Sequence, residues 1–131
     1  MYISPKLREM RILLIDDDEW IRDSLSLFFE EEGCHLKALE TAEEGILELR
    51  RQDYHIVIVD YLLPGMDGLE FLEQIKASHP GVLTILVTAY GSKDLRLKGR
   101  EIGIDGFINK PFTLKAFEEA LSCFVEERKD L

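Results

Sequence analysis

The stretch IVIVDYLLPGMDG, residues Ile56 to Gly68, decides how the chain folds. Its first four residues are apolar and β-branched, as in a strand buried on both faces, and Pro64 with Gly65 marks the loop that follows. Asp60 stands between strand and loop. A carboxylate at the end of a buried strand is either an ordinary turn residue or a group held in place for chemistry. The surrounding sequence has to decide between these interpretations.

The length and composition indicate one folded domain. The chain has 131 residues, of which 46% are hydrophobic and 32% are charged, as in ordinary globular proteins. No apolar run is long enough to span a membrane, and the first residues lack the apolar core of a secretory signal. We therefore expect a cytoplasmic protein without membrane contact. Residues 1–10 are expected to form a short mobile leader, and residues 11–128 the folded domain.

The charge and the cysteines argue against two classes of function. A net charge of −10 disfavours direct nucleic-acid binding, since contacts to phosphates need a basic surface. Cys34 and Cys123 have neither CxxC spacing nor a pattern of cysteine and histidine ligands, so we predict two reduced, partly buried thiols. His35, His55 and His79 show no ligand spacing either, and we expect them to face solvent or to cap elements.

Apolar runs and helical patterns alternate along the whole chain. This alternation predicts five βα units, and hence an α/β fold with a single doubly wound domain: a parallel sheet covered by helices on both faces. The predicted strands are Arg11–Ile15, His35–Leu39, His55–Val59, Val82–Val87 and Gly106–Asn109.

Several helices have recognisable starts. Thr41 with Glu44, and Asp67 with Glu70, have the spacing of a capping box, and Thr113 is expected to cap the last helix. The first and last helices also carry apolar stripes at helical spacing, which predict core rather than a cofactor site. The stripes consist of Ile21, Leu25, Phe28 and Phe29, and of Phe117, Leu121, Phe124 and Val125.

The segment from Ser92 to Ile102 is a poorer helix. Gly99 lies inside it, where a glycine costs about 1 kcal/mol relative to alanine, and its apolar residues make no continuous stripe. We therefore predict a short, frayed or mobile fourth helix.

Polar side chains follow four of the predicted strands: Asp16 to Glu19, Asp60, Thr88 and Lys110. Each has an ordinary explanation, since an acidic run before a helix is typical of an N-cap, and threonine and lysine are common at strand ends. Together they put acids, a hydroxyl and an ammonium at one edge of one sheet. In open parallel sheets, ligands bind at this edge, where the strand order reverses. The combination favours a functional site.

Crowded carboxylates remain charged only when a positive group joins them. Mg²⁺ prefers carboxylates, carbonyls and waters and commonly bridges to a phosphate, and Lys110 would supply a second positive centre. Such a site suits phosphoryl transfer, in which a carboxylate can itself be the nucleophile and form an acyl phosphate.

The sequence resembles the receiver domain of two-component response regulators over residues 11 to 127. The matching pieces are ILLIDDDEW (12–20), VIVDYLLPGMDGLEFL (57–72), ILVTAYG (85–91) and DGFINKPF (105–112). The resemblance implies a flavodoxin-like (βα)5 fold with strand order 2-1-3-4-5. It also implies a phospho-accepting signalling domain rather than an enzyme, with only self-phosphorylation and self-dephosphorylation as intrinsic activities.

The resemblance assigns roles to the acidic residues. Asp60 would be the nucleophile, attacking phosphohistidine on a sensor histidine kinase or phosphotransfer protein, or a small acyl phosphate. Asp17 would bind Mg²⁺ directly, Asp16 directly or through water, and the backbone carbonyl of Leu62 would complete the protein ligands beside Asp60. Asp18 falls outside the family's acidic pair and is expected to cap the first helix.

The resemblance also assigns a switch. Thr88 would bond a phosphoryl oxygen, and Lys110 would contact phosphate and carboxylate together, aimed inward by a cis bond to Pro111. When Thr88 moves toward phosphate, it vacates space for Phe107, whose preference should rest on packing because it lacks a hydroxyl; a permanently buried core phenylalanine is the alternative. Tyr90 and Leu62 flank the site and are expected to limit water access.

The signalled surface would comprise helix 4, strand 5 and helix 5, which would contact an output domain or partner protein. Residues Lys93 to Arg100 carry a local charge of +3, from four basic residues against Asp94, which fits either a solvated face or a docking patch for an acidic partner. A homodimer through this helix is a further option.

Other classes of function remain open. Asp16-Asp17-Asp18 also fits the DxD motif of haloacid-dehalogenase-like phosphatases, with Asp16 as the nucleophile, although the expected cap and the Thr or Gly after the motif are missing. The other alternative is a receiver-like interaction module that is not phosphorylated. Asn at position 60 would abolish phosphorylation in a receiver and spare it in such a phosphatase.

Overall fold

The computed structural model describes residues 4–89 and 91–128, which contain one parallel sheet of strand order β2-β1-β3-β4-β5. The order reverses between β1 and β3, which lie side by side. This topology confirms the predicted doubly wound α/β fold. The strands are β1 (Arg11–Ile15), β2 (His35–Leu39), β3 (Ile56–Asp60), β4 (Leu83–Thr88) and β5 (Gly106–Asn109).

Helices cover both faces of the sheet. Apolar residues of α1 and α5 pack with one set of strand side chains, and those of α2, α3 and α4 pack with the alternate set. The two predicted aromatic stripes lie in the first of these cores. None of the described helices is long and apolar enough to cross a membrane. The helices are α1 (Glu19–Glu31), α2 (Ala42–Arg51), α3 (Gly68–Ser78), α4 (Lys93–Ile102) and α5 (Leu114–Glu127).

The central strands begin and end one residue later than predicted. β3 ends at Asp60, which pairs with Val87, and β4 ends at Thr88, which pairs with Asn109. The N–H of Tyr61 continues the ladder by donating to the carbonyl of Val87 at 2.8 Å. Both polar residues therefore belong to hydrogen-bonded strands, and the sheet fixes their backbone.

The predicted helix caps are present. Thr41 and Glu44 form a complete capping box on α2, and Asp67 accepts from the N–H of Glu70 at 2.8 Å at the start of α3. The caps at Asp18 and Thr113 are also confirmed.

The fourth helix is better formed than its sequence predicts. Ser92 caps α4 by accepting from the N–H of Leu95 at 3.1 Å, and Gly103, with φ of 94°, closes the helix in the left-handed conformation that suits glycine. The prediction of a frayed helix was therefore wrong, whereas α4, with 10 residues, is as short as α2, and its mobility stays a prediction. Gly99 is buried because the ring of Phe107 occupies the space that a side chain would fill, so a tertiary contact explains this residue.

The segment before β1 packs onto the domain. Pro5–Glu9 forms a short 3₁₀ helix, and Leu7 and Met10 are buried in the core shared with α1 and α5. The N–H of Ser4 donates to the Ser122 hydroxyl at 3.1 Å. Residues 4–10 therefore differ from the mobile leader that we expected, because two apolar side chains anchor them.

Candidate functional site

Three carboxylates meet at the carboxyl edge of the sheet, where the strand order reverses. Asp16 follows β1 and Asp60 ends β3, and oxygens from Asp16, Asp17 and Asp60 all lie within 4.8 Å of one another. Asp16 is 1% exposed and Asp60 is 7% exposed, whereas Asp17 faces solvent. The sequence prediction that these acids come together is thus met by the geometry.

Lys110 reaches into this cluster from the end of β5. Its Nζ lies 3.1 Å from Asp16 Oδ2 and 3.3 Å from Asp60 Oδ2. The N–H of Lys110 donates to the Thr88 carbonyl at 2.9 Å, and the bond to Pro111 is cis, as the resemblance implied. One ammonium therefore bridges the two buried carboxylates.

The single lysine does not neutralise the site. Burial and the negative charge of Asp16 raise the pKa of Asp60, Lys110 opposes both effects, and the net pKa is about 6. Burial would lower the pKa of Lys110, but its hydrogen bonds and charge interactions with Asp16 and Asp60 outweigh burial and raise it. Lys110 is therefore an ammonium at neutral pH, beside a carboxylate that is poorly stabilised as an anion.

Backbone hydrogen bonds fix the position of Asp16. Its N–H donates to the Leu39 carbonyl at 3.1 Å, and its Oδ1 accepts from the N–H of Asp18 at 2.9 Å. Arg22 on α1 donates from Nη1 to the Asp16 carbonyl at 2.8 Å. Sequence reasoning missed Arg22; its place one helical turn after the Asp18 cap is the signal that points it back at the strand end.

The loop after β3 folds tightly back over Asp60. The N–H of Gly68 donates to the Tyr61 carbonyl at 2.8 Å, and a Cβ at Gly68 would overlap the Asp60 backbone. Gly65 has φ of 84°, a left-handed conformation that favours glycine. The Leu62 side chain is exposed, and the role of its carbonyl as a metal ligand stays a prediction.

The two residues predicted to form a switch lie on neighbouring strands. Thr88 is buried at the end of β4, and Phe107 is half-buried in β5. Because Leu86 pairs with Phe107 and side chains alternate along each strand, Thr88 and Phe107 share the sheet face that α4 covers. Tyr90 lies outside the described residues.

The donor set suits a hard divalent cation. Three carboxylates with oxygens within 4.8 Å of one another face one ammonium, which leaves uncompensated negative charge at the cluster. Carboxylate oxygens are the ligands that Mg²⁺ prefers in proteins. The residues therefore fit a Mg²⁺ ion.

An apolar cavity of about 400 Å³ adjoins the cluster. Trp20, which is 69% exposed, and Phe112 line it together with Lys110. The only tryptophan of the chain thus lies close enough to report on changes at the site.

Comparison with known proteins gives a consistent result. A family model described as the response regulator receiver domain matches residues 12–122. The transcriptional regulatory protein QseB of Haemophilus influenzae is 34% identical over 119 residues, which cover 91% of this chain and 54% of that protein. ResD of Bacillus subtilis, also named a transcriptional regulatory protein, is 33% identical over 105 residues, covering 80% of this chain and 43% of that protein. The chain thus spans about half the length of these curated relatives.

Solved structures show the same fold. A CheY-like response regulator receiver domain protein from Methanospirillum hungatei is 32% identical and superposes with a TM-score of 0.84, covering 90% of this chain and 94% of that one. The beryllofluoride-activated NtrC4 receiver domain dimer is also 32% identical, with a TM-score of 0.81 and coverage of 89% and 97%.

Proposed function

Because this chain belongs to the response regulator receiver domain family, we propose that it accepts a phosphoryl group on Asp60 from a sensor histidine kinase or phosphotransfer protein. The observation that carries this proposal is the position of Asp60, buried at the end of β3 within 3.3 Å of the Lys110 ammonium. Its raised pKa marks a carboxylate whose negative charge is poorly compensated, as is common at functional sites.

The reaction is a phosphoryl exchange between a nitrogen and an oxygen. An Asp60 carboxylate oxygen attacks the phosphorus of phosphohistidine, a P–O bond forms, and the P–N bond breaks. The electron pair of the broken bond stays on the imidazole nitrogen, so no oxidant or reductant is needed. The product is an acyl phosphate on Asp60.

Lys110 and Thr88 act on the transferred group. The ammonium of Lys110 already lies between the two buried carboxylates and is placed to contact a phosphoryl oxygen once one is bound to Asp60. Thr88 stands at the end of the strand next to β3, where its hydroxyl can donate to a second phosphoryl oxygen. Fixed donors aimed at developing charge are an effective form of catalysis because they need no reorganisation.

Asp16 and Asp17 would hold Mg²⁺ together with Asp60 and the Leu62 carbonyl, and the bound ion would neutralise charge on the transferred phosphoryl group. The hydrogen bonds that fix Asp16 keep this carboxylate in place in the absence of an ion. Asp17, being exposed, leaves the entry side of the cluster open.

Phosphorylation would then be signalled through Thr88 and Phe107 to the face formed by α4, β5 and α5. We propose that this face contacts an output domain or partner protein, and that its basic segment from Lys93 to Arg100 suits an acidic one. The dimeric NtrC4 neighbour supports a homodimer, and we propose the same face as its interface. The net charge of −10 supports a domain that does not itself bind nucleic acid. The match to the receiver domain family favours this proposal over a haloacid-dehalogenase-like phosphatase.

The test is the intact mass of the protein after incubation with acetyl phosphate and Mg²⁺. We expect the wild type to gain one phosphoryl group only when Mg²⁺ is present, and Asp60→Asn to gain none. Asp53→Asn is a matched control, since it removes an exposed carboxylate outside the site and should be phosphorylated like the wild type. Trp20 fluorescence should change when Mg²⁺ is added.

Two results would contradict the proposal. A mass gain that survives in Asp60→Asn would place the nucleophile elsewhere. A wild-type protein with neither a mass gain nor a fluorescence response to Mg²⁺ would be an interaction module that is not phosphorylated.

A further inference from the structure

The ring of Phe107 lies against two residues of α4, Gly99 and Arg96, which we call the Phe107 seat. A Cβ added at Gly99 would overlap Cζ of the ring and lie 3.2 and 3.3 Å from Cε1 and Cε2, so the ring fills the space of a missing side chain. The guanidinium carbon of Arg96 lies 5.3 Å from the ring centroid, within the range of a cation–π contact. The ring is thus packed against a glycine and covered by a cation.

Arg96 also holds a second side chain of β5. Its Nη2 donates to Asn109 Oδ1 at 3.4 Å, and Asn109 points to the same sheet face as Phe107 because it follows two residues later. A Cβ at Gly91 would lie 3.1 Å from Asn109 Oδ1 and 3.3 Å from Arg96 Nη2, so the loop also packs closely here. Arg96 therefore links α4 to two neighbouring positions of β5.

Thr88 pairs with Asn109 and so lies beside this arrangement, on the same face of the sheet. We infer that the Phe107 seat holds the ring against α4 in the unphosphorylated protein, and that the strength of this hold sets how readily the site is activated. The inference rests on the proposed function, in which Phe107 moves toward space that Thr88 leaves. It assigns Gly99 and Arg96 as positioning residues that act through Phe107.

The nature of the contacts explains why the seat matters. A phenylalanine has no hydroxyl with which to gain or lose a hydrogen bond when it moves. Its position therefore depends on packing against Gly99 and on the Arg96 cation. A ligand shifts such an equilibrium only through its different affinity for the two states, so weakening the resting state raises the apparent affinity for an activating ligand.

The first experiment measures binding of beryllofluoride, a phosphoryl mimic, in the presence of Mg²⁺. Arg96→Gln removes the cation over the ring, and Lys98→Gln is the matched control because it removes the same charge from an exposed position of α4. We expect Arg96→Gln to raise the apparent affinity about two- to fivefold, as the loss of an exposed cation–π contact allows, and Lys98→Gln to leave it unchanged. Equal affinities for the two variants would overturn the inference.

The second experiment needs no ligand and separates this inference from the proposed function. In the wild type, nuclear Overhauser contacts should connect the Phe107 ring protons with the α-protons of Gly99. We expect these contacts to weaken in Arg96→Gln and to persist in Lys98→Gln. If beryllofluoride binds to none of the variants, the proposed function fails, but the nuclear Overhauser comparison still tests whether Arg96 positions the Phe107 ring. Undiminished contacts in Arg96→Gln would show that it does not.

Discussion

Two buried carboxylates near opposite ends of β3 have opposite surroundings. Glu48 on α2 is 7% exposed, as Asp60 is, but it accepts a hydrogen bond from the Tyr54 hydroxyl at 2.6 Å and two from Arg51 Nη2 at 2.9 Å. Lys37 adds a cation at 3.9 Å. The hydrogen bond from Tyr54 lowers the pKa of Glu48, with Arg51 contributing and burial opposing, whereas burial and a neighbouring acid raise that of Asp60.

The difference shows that burial alone does not make a carboxylate functional. Glu48 has its own donors, so its charge is stabilised and its contacts hold α2 to the segment before β3. Burial, followed by the interaction with Glu48, raises the pKa of Tyr54 to about 12, so the phenol stays a hydrogen-bond donor. Asp60 shares the Lys110 ammonium with Asp16, so the negative charge of the Asp60 carboxylate is only partly compensated. The carboxylate whose charge is incompletely compensated is thus the one at the candidate functional site.

The largest effect should come from removing the Lys110 ammonium, which forms a salt bridge with Asp60. We expect Lys110→Met to slow phosphorylation by acetyl phosphate about 100-fold or more, because a fixed donor to the transferred group is lost. The measurement is the time course of intact mass in Mg²⁺. Lys115→Met removes an exposed lysine of α5 and should leave the rate unchanged. A Lys110→Met rate close to that of the control would mean that the Asp60 site does not depend on its lysine.

The sequence predicted this site better than it predicted the Glu48 network. The reactive residues stand at strand ends, where a buried parallel sheet makes polar residues conspicuous. Glu48 and Tyr54 belong to a helix and a loop, and nothing local distinguishes them from ordinary surface residues. Their contact forms only when α2 packs on β1 and β2 and brings Glu48 to the segment before β3.

The same reasoning explains the errors in the fold. Apolar runs located the strands, but Asp60 and Thr88 were left outside because hydrogen bonds to the neighbouring strand, rather than hydrophobicity, extend β3 and β4. The fourth helix was judged by the local cost of Gly99, while the contact that requires glycine comes from Phe107 on another element. Local patterns predicted the elements, and nonlocal contacts decided the exceptions.

The next effect concerns stability. Glu48→Gln should lower the free energy of unfolding by about 1–3 kcal/mol, since the hydrogen-bonded charge that serves both Tyr54 and Arg51 is lost. Urea denaturation measures this change. Glu43→Gln, an exposed substitution in the first turn of α2, should have little effect. A Glu48 variant as stable as the control would remove the contrast with Asp60, because it would show that the donors around Glu48 do not stabilise its charge.

Glu118, a further buried carboxylate, has still fewer contacts and should give the smallest effect. Glu118 on α5 is fully buried, and neither of its oxygens has a hydrogen-bond partner in the described part of the chain. Burial raises its pKa, the charges of Glu32 and Glu119 raise it further, and Arg8 and Lys115 oppose them. Unlike Asp60, it lies away from the strand-end cluster, and no described residue forms a salt bridge with it.

Glu118→Gln should therefore stabilise the protein in a pH-dependent way. Because the folded-state pKa lies above the unfolded value, Glu118 is protonated in both states at low pH and has no effect on stability there. Its cost grows as the pH rises from the unfolded pKa toward the folded pKa. We expect a gain of about 1 kcal/mol at pH 8 that disappears near pH 4, measured by urea denaturation across this range. Glu127→Gln is the control, because it removes an exposed carboxylate of the same helix that is not among the charges acting on Glu118. A pH-independent gain would assign the effect to packing rather than charge, and buried carboxylates without donors would then not be costly in this fold.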